Sequence, residues 1–127
     1  MAMTEQRTQL LENLKKLAAA NTSGSFLVAT CGDIYAQFMP DYDARTMRCE
    51  TVGNENLPEP CRLTDDKQRQ LEALGFKLDG SGNFARDIPW STDGDLSAIA
   101  DAALDIFARI YGAPPAEGLS FDLTIEK

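Results

Sequence analysis

The stretch NLPEPCRLTDDKQRQLEALGF (Asn56–Phe76) decides the fold, because it separates two groups of predicted β-strands. It begins as a loop, since Pro58 and Pro60 exclude a helix over its first residues. A short charged segment follows and ends on Gly-Phe. The stretch therefore predicts a connector helix at the rim of a sheet, between one group of hairpins and the next.

The ends of this connector helix carry clear sequence signals. Thr64 is a favoured N-cap residue, and Gly75 can adopt the left-handed conformation that follows a last helical turn. In a Schellman ending, Phe76 then packs on Leu71. The predicted inward face is thin and consists of Leu71, Leu74 and the stem of Lys67. Such a helix serves as a connector between the two groups of strands.

Three apolar segments precede the connector and predict an antiparallel meander. They are SFLVATC (Ser25–Cys31), IYAQFM (Ile34–Met39) and ARTMRCETV (Ala44–Val52). Gly32 supplies the positive φ that a tight hairpin requires between the first two segments. The second segment alternates between two sets of side chains, Ile34, Ala36 and Phe38 in one set and Tyr35, Gln37 and Met39 in the other.

Two amphipathic helices lie on either side of the strands in the sequence. The first is predicted over Glu5–Ala20 with Thr4 as its cap, and the other over Leu96–Tyr111 with Asp93 or Asp95 as its cap. Both helices have to bury an apolar stripe against the sheet. These stripes contain Leu10, Leu14, Leu17, Ile99, Ile106 and Ile110. Gly112 ends the second of them, and Pro114 and Pro115 prevent its continuation.

Three further strands complete the predicted fold. A second hairpin joins Phe76–Leu78 to Asn83–Trp90, and the alternating segment LSFDLTIE (Leu119–Glu126) closes the chain. The last strand should direct Leu119, Phe121, Leu123 and Ile125 inward. The order is α-β-β-β-α-β-β-α-β, which predicts one α+β domain over residues 1–127, with an antiparallel sheet and helices packed on one face.

The charge of the chain limits the kinds of partner. There are 12 Lys and Arg residues against 20 Asp and Glu residues, which gives a formal net charge of −8. An acidic surface argues against nucleic acid and against anionic membranes, because phosphate contacts need basic side chains. The charge serves either solubility or attraction to a basic protein partner. No apolar run reaches the ~18 residues of a membrane span, and no signal peptide is visible, so we expect a cytoplasmic protein.

The residue types also argue against an enzyme. The chain has no histidine, which excludes the usual general base and His-containing metal sites. Cys31 is the best remaining nucleophile, and Asp101 with Asp105 the best carboxylate pair, although Arg109 is placed to form an ion pair with Asp105. The thiols, which also include Cys49 and Cys61, are expected to be reduced. We therefore expect no catalytic residue, no cofactor and no metal.

A protein partner would have to use the sheet face that the helices leave free. That face is predicted to carry Tyr35, Gln37 and Met39. Trp90 follows the fifth strand and has two interpretations: it either closes the edge of the core or forms an exposed anchor for a partner.

From Tyr35 to Ile125 the sequence resembles the YbjN-related, type III secretion chaperone-like (TY-Chap) family. The resemblance rests on YAQFM, on GNENLPEPCRLTDDKQRQLEALGF, on NFARDIPW and on LSAIADAALDIFARIYGAP. It implies a binding module, since secretion chaperones of this shape hold an extended client segment and are usually homodimers. No family active site can be transferred to these residues. The last strand lies beyond the basic chaperone plan and could cover a client or dimer surface.

Three functions remain in competition on the sequence alone. The first is a non-enzymatic, acidic protein-binding module of the chaperone-like class. The second is an immunity or inhibitor protein that binds a basic toxin, and the third is an enzyme that uses Cys31 or a carboxylate pair. The oligomeric state stays open, and a twofold homodimer is the commonest assembly.

Overall fold

A six-stranded antiparallel sheet and three helices form the structure, which is a computed structural model that describes residues 2–112 and 119–126, with side chains from residue 5. The helices are α1 (Ala2–Ala20), α2 (Asp65–Ala73) and α3 (Asp93–Asp105), and Ile106–Ile110 continues α3 with π-helical hydrogen bonds. The strands are β1 (Phe26–Cys31), β2 (Ile34–Asp41), β3 (Thr46–Thr51), β4 (Lys77–Leu78), β5 (Phe84–Pro89) and β6 (Ser120–Thr124). The predicted α+β class and element order are confirmed.

The strands lie in the order β4-β5-β3-β2-β1-β6. The first three form the predicted meander, and Gly32 occupies the positive-φ position of its first turn. The last strand, β6, pairs with β1, with Phe121 opposite Ala29. It therefore extends the sheet at one edge and does not lie across a sheet face.

Both long helices pack on the same face of the sheet, as predicted. Their stripes are buried together with the inward side chains of the strands. The fully buried part of this core includes Leu10, Leu14, Leu17, Leu27, Phe38, Met47 and Phe107. At the surface, Nε of Arg7 lies 2.6 Å from a carboxylate oxygen of Asp101 and joins α1 to α3.

The predicted N-terminal caps of the long helices are wrong. Helix α1 begins at Ala2, so Thr4 lies within the helix. The cap of α3 is Thr92, whose hydroxyl accepts the backbone N–H of Asp95, while the Asp95 carboxylate accepts that of Thr92. This reciprocal capping box takes precedence over a single aspartate cap. Gly112, with a φ of 68°, follows the last helical turn, and Pro114 and Pro115 fall outside the described residues.

The connector helix ends as predicted. Thr64 accepts the backbone N–H of Lys67, and Gly75 has a φ of 96°. Phe76 donates its N–H to the carbonyl of Leu71 at 3.1 Å, and Gly75 donates to Glu72 at 3.0 Å, which together make a Schellman motif.

Two side chains predicted to face inward do not. Leu74 is 43% exposed, because it is the C-cap residue of α2 and projects beyond the core. Ile125 is 40% exposed, because β6 ends at Thr124 and the alternation stops with it.

Candidate functional site

One face of the sheet carries no helix in the described structure. Its register places Val28 opposite Gln37, and Met39 opposite Arg48. We call this surface the open sheet face, defined by Phe26, Val28, Thr30, Tyr35, Gln37 and Met39. Phe26, Val28 and Met39 are half-buried and lie outside the hydrophobic core cluster. Apolar side chains in this position are available to a partner.

Tyr35 is the most constrained residue of the open sheet face. Its hydroxyl accepts a hydrogen bond from the amide of Asn83 at 3.1 Å. The Asn83 carbonyl oxygen in turn accepts from the backbone N–H of Gly53 at 3.1 Å and from the amide of Asn56 at 2.8 Å. Asn83 is buried, so this network fixes the Tyr35 ring relative to the loop before α2.

An acidic cluster, formed by Glu50 of β3, Asp87 of β5 and Asp79 directly after β4, borders the open sheet face. The guanidinium of Arg48 lies 3.4 Å from Glu50, 3.0 Å from Asp79 and 3.9 Å from Asp87. A hydrogen bond from the Ser81 hydroxyl, followed by contributions that include Arg48, lowers the pKa of Asp79. Since one cation faces three carboxylates, this border keeps negative charge at neutral pH.

Trp90 does not belong to the open sheet face. It is 5% exposed, its ring meets Tyr42 edge-on at 6.3 Å, and the guanidinium of Arg45 lies 5.1 Å from the ring centre. Its position therefore agrees with the interpretation in which Trp90 closes the edge of the core. Of the four residues proposed for partner binding, the structure brings together Tyr35, Gln37 and Met39 and places Trp90 elsewhere.

A second concave surface, not predicted from the sequence, lies on the helix side of the sheet. It is an open groove between α3, β5 and the segment that follows α2. We call it the apolar groove, and its principal side chains are Leu74, Phe76, Arg86, Ile88, Ile99 and Ile106. Among the described residues that line it, Arg86 alone carries a charge.

Cys49 lies at the base of the apolar groove. Burial raises the pKa of this thiol to about 12, against a smaller opposite effect of Arg86. The thiol is therefore protonated at neutral pH and behaves as a small apolar side chain. Cys31 and Cys61, the other two thiols, are half-buried and free.

The carboxylates proposed for catalysis form ion pairs. Asp105 lies 3.6 Å from Arg109, as the spacing predicts, and Asp101 binds Arg7. In the described part of the chain, no group of three His, Cys, Asp or Glu side chains could hold a metal ion. Over the same residues, no helix is long and apolar enough to cross a membrane.

The apolar groove was missed because its walls come from segments far apart in the sequence. One signal was available: Phe84, Arg86 and Ile88 share one face of β5, and their partners in β3 include the buried Cys49. An arginine in an inward position of a strand indicates a place where the core is open to solvent.

The comparison with known families agrees with this fold. A family model described as T3SS (YopN, CesT) and YbjN peptide-binding chaperone 3, or TY-Chap3, matches residues 4–124. No curated protein and no solved structure matches the chain significantly. The family match runs from α1 to the end of β6 and confirms the resemblance noted in the sequence. The chain therefore belongs to the TY-Chap3 family of T3SS and YbjN peptide-binding chaperones.

Proposed function

We propose that this protein is a non-enzymatic module that holds an extended segment of a protein partner on the open sheet face. The observation that carries the proposal is the group formed by Phe26, Val28 and Met39, which is half-buried and separate from the core. Apolar side chains on a sheet face suit an extended peptide, whose alternate side chains reach one surface.

Charge favours a peptide with basic side chains. The chain carries a net charge of −8, and the carboxylates of Glu50, Asp79 and Asp87 border the open sheet face. Arg48 is already engaged by these groups, so it offers little attraction to an acidic segment. Long-range attraction of a basic partner then raises the association rate, and added salt lowers it.

The non-enzymatic part of the proposal is supported by the state of the candidate groups. Asp101 and Asp105, the candidate carboxylate pair, form surface ion pairs with Arg7 and Arg109. The reduced thiols agree with a cytoplasmic location, which we retain as a proposal.

The alternative function is an immunity or inhibitor protein that binds a basic toxin. The acidic cluster around Arg48 favours it, since such a surface also suits a folded basic partner. The two functions differ in the state of the partner, because a chaperone binds an isolated peptide segment whereas an inhibitor requires the folded toxin. A toxin gene beside the gene for this chain supports inhibition, and genes of a secretion apparatus support the chaperone role.

A homodimer is a further part of the proposal, because family members of the secretion-chaperone type usually pair. Light scattering at micromolar concentration tests it directly. A mass of twice 13.9 kDa supports the dimer, and a mass of 13.9 kDa excludes it under those conditions.

Selection from a displayed library of internal peptides, with neither terminus free, tests the proposed function. We expect enriched peptides to combine apolar and basic residues and to bind more weakly as salt increases. Val28→Ser and Met39→Ser should weaken binding by about tenfold each, by the loss of a buried apolar contact. Leu78→Ser is the matched control, since Leu78 is 61% exposed and lies on β4, away from the open sheet face. Unchanged binding by both variants would contradict the proposal.

A further inference from the structure

Arg86 is a cation without a partner at the mouth of an apolar groove. It is exposed, and it forms no hydrogen bond or ion pair with any residue that the structure describes. In contrast, Arg7, Arg48 and Arg109 are each held by a carboxylate. An unpaired guanidinium is a favourable site for a carboxylate, because its planar N–H groups can donate two charge-assisted hydrogen bonds.

The apolar groove presents apolar side chains to a ligand at its mouth. Ile99 of α3, Ile106 directly after α3, and Ile88 and Arg86 of β5 all line it. Leu74 and Phe76 line it as well, and Leu74 is 43% exposed. A ligand that fits therefore combines an apolar group with an adjacent negative charge.

The edge of β5 beside the groove has no paired strand over most of its length. Strand β4 pairs only Lys77 with Ala85 and Leu78 with Phe84. In an antiparallel sheet, successive residues direct their backbone groups to opposite neighbours. Because Asn83 accepts the N–H of Asp79 on the β4 side, the same alternation directs the N–H and C=O of Asp87 to the free edge. An extended chain can pair there by β-augmentation.

Strand β4 also determines where such a chain has to stop. No residue of β4 pairs with the part of β5 from Arg86 to Pro89, and the pair of Lys77 with Ala85 occupies the next position. A peptide that pairs with this edge cannot continue past Arg86 in the plane of the sheet. A chain end fits the position better than an internal residue, and the chain end that matches a guanidinium is the α-carboxylate.

We propose that the apolar groove binds the C-terminal residues of a partner protein. The last side chain is apolar and enters the groove, the α-carboxylate accepts hydrogen bonds from Arg86, and the backbone pairs with Asp87 at the edge of β5. This site is separate from the open sheet face, which lies on the other side of the sheet. Either site can therefore fail its test while the other passes.

Gly75 gives Arg86 the room that this role requires. A Cβ at position 75 would lie 3.2 Å from Nε and 3.3 Å from Cδ of Arg86. Glycine at the end of the Schellman motif thus lets the arginine side chain lie against the backbone, beside the free edge.

The experiment uses the full chain labelled at the isoleucine δ1-methyl groups and acetylated hexapeptides with a Gly/Ser body. The last residue is leucine, valine, phenylalanine or glycine, and each peptide is prepared as free acid and as C-terminal amide. A further amidated peptide carries leucine beside an internal aspartate. Ile88, Ile99 and Ile106 report on the groove, whereas Ile34 and Ile125 lie elsewhere and act as internal controls.

We expect the free acids with an apolar last residue to shift the three groove methyls and leave the two controls unchanged. The amides and the Arg86→Gln variant should bind about tenfold more weakly, the effect of one lost hydrogen bond to a charged group. Arg69→Gln, which removes an exposed arginine from α2, should bind like the wild type. The unchanged control methyls verify that the Arg86→Gln variant is folded.

Four results would overturn the proposal. The first is no shift of the groove methyls at millimolar peptide, and the second is equal affinity of acid and amide. The third is equal binding of the internal aspartate peptide, which would assign Arg86 to an acidic side chain. The fourth is protein dilution that shifts the groove methyls without peptide, since the occupant would then be a second copy of this chain.

Discussion

Arg86 lies against Gly75 so closely that any side chain at position 75 would meet it, with Nε 3.2 Å from an added Cβ. Gly75 also has a φ of 96°, which side chains disfavour. We expect Gly75→Ala to lower the free energy of unfolding by about 1–2 kcal/mol. Urea denaturation measures this change.

Two other glycines separate the effect of a positive φ from the effect of the contact with Arg86. Gly80→Ala should be nearly neutral, because its φ is not positive and an added Cβ meets nothing within 4 Å. Gly32→Ala tests φ alone, since its φ is 64° and its surroundings are open. If Gly75→Ala were as neutral as Gly80→Ala, the Schellman ending and the contact with Arg86 would both be in error.

Methionines on adjacent strands should respond differently to truncation. Met47 is fully buried under the helices, so Met47→Ala should cost about 2–5 kcal/mol. Met39 lies on the open sheet face outside the core, so Met39→Ala should change the free energy of unfolding by about 0.5 kcal/mol or less. Equal losses in urea denaturation would show that the sheet face is covered.

The three thiols should divide into two classes. Cys31 and Cys61 are half-buried, whereas Cys49 is buried and its pKa is raised to about 12. A neutral-pH disulfide reagent should therefore label Cys31 and Cys61 in the native protein and Cys49 only after unfolding. Mass spectrometry of digested protein identifies the labelled sites, and rapid native labelling of Cys49 would contradict its placement at the base of the groove.

Alkaline pH should destabilise the fold through Tyr111. Its hydroxyl donates to the carbonyl of Val52 at 2.6 Å, and burial raises its pKa from 10.0 to about 12. The unfolded chain thus loses this proton at lower pH than the folded chain. The stabilisation that the protonated Tyr111 hydroxyl contributes is complete below pH 10 and is lost as the pH rises towards 12.

Tyr111→Phe should cost about 1 kcal/mol at neutral pH, because the carbonyl of Val52 loses its donor. The variant should also lose less stability than the wild type between pH 9 and pH 11, since phenylalanine does not titrate. Ionisation of Cys49 lowers the stability at alkaline pH in both proteins. Urea denaturation at several pH values therefore compares how steeply the free energy of unfolding falls with pH in each. Equal slopes would contradict the burial of the Tyr111 hydroxyl.

Local signals were enough to predict much of the fold. Gly75 and Thr64 determine the ends of α2, and the alternation in β2 places Phe38 inward and Met39 outward. The cap of α3 was missed because Thr92, Asp93 and Asp95 are all good cap residues, and the reciprocal bonds of Thr92 and Asp95 exist only in the folded turn.

The two proposed binding surfaces also differ in how far they could be predicted from the sequence. Tyr35, Gln37 and Met39 could be grouped from strand alternation alone, because one strand carries all three. The apolar groove could not be predicted, since it requires Arg86 of β5 to meet α3 and the end of α2. Trp90 was ambiguous because its burial depends on contacts with Tyr42 and Arg45, which are distant in sequence.

Methionine methyl NMR tests the central claim, that the open sheet face binds an extended peptide. The protein is labelled at the methionine ε-methyl groups and titrated with a peptide selected from the library of internal sequences. We predict that the Met39 resonance shifts until saturation while that of Met47, buried on the opposite face, stays in place. A saturating peptide that leaves Met39 unchanged would contradict the claim.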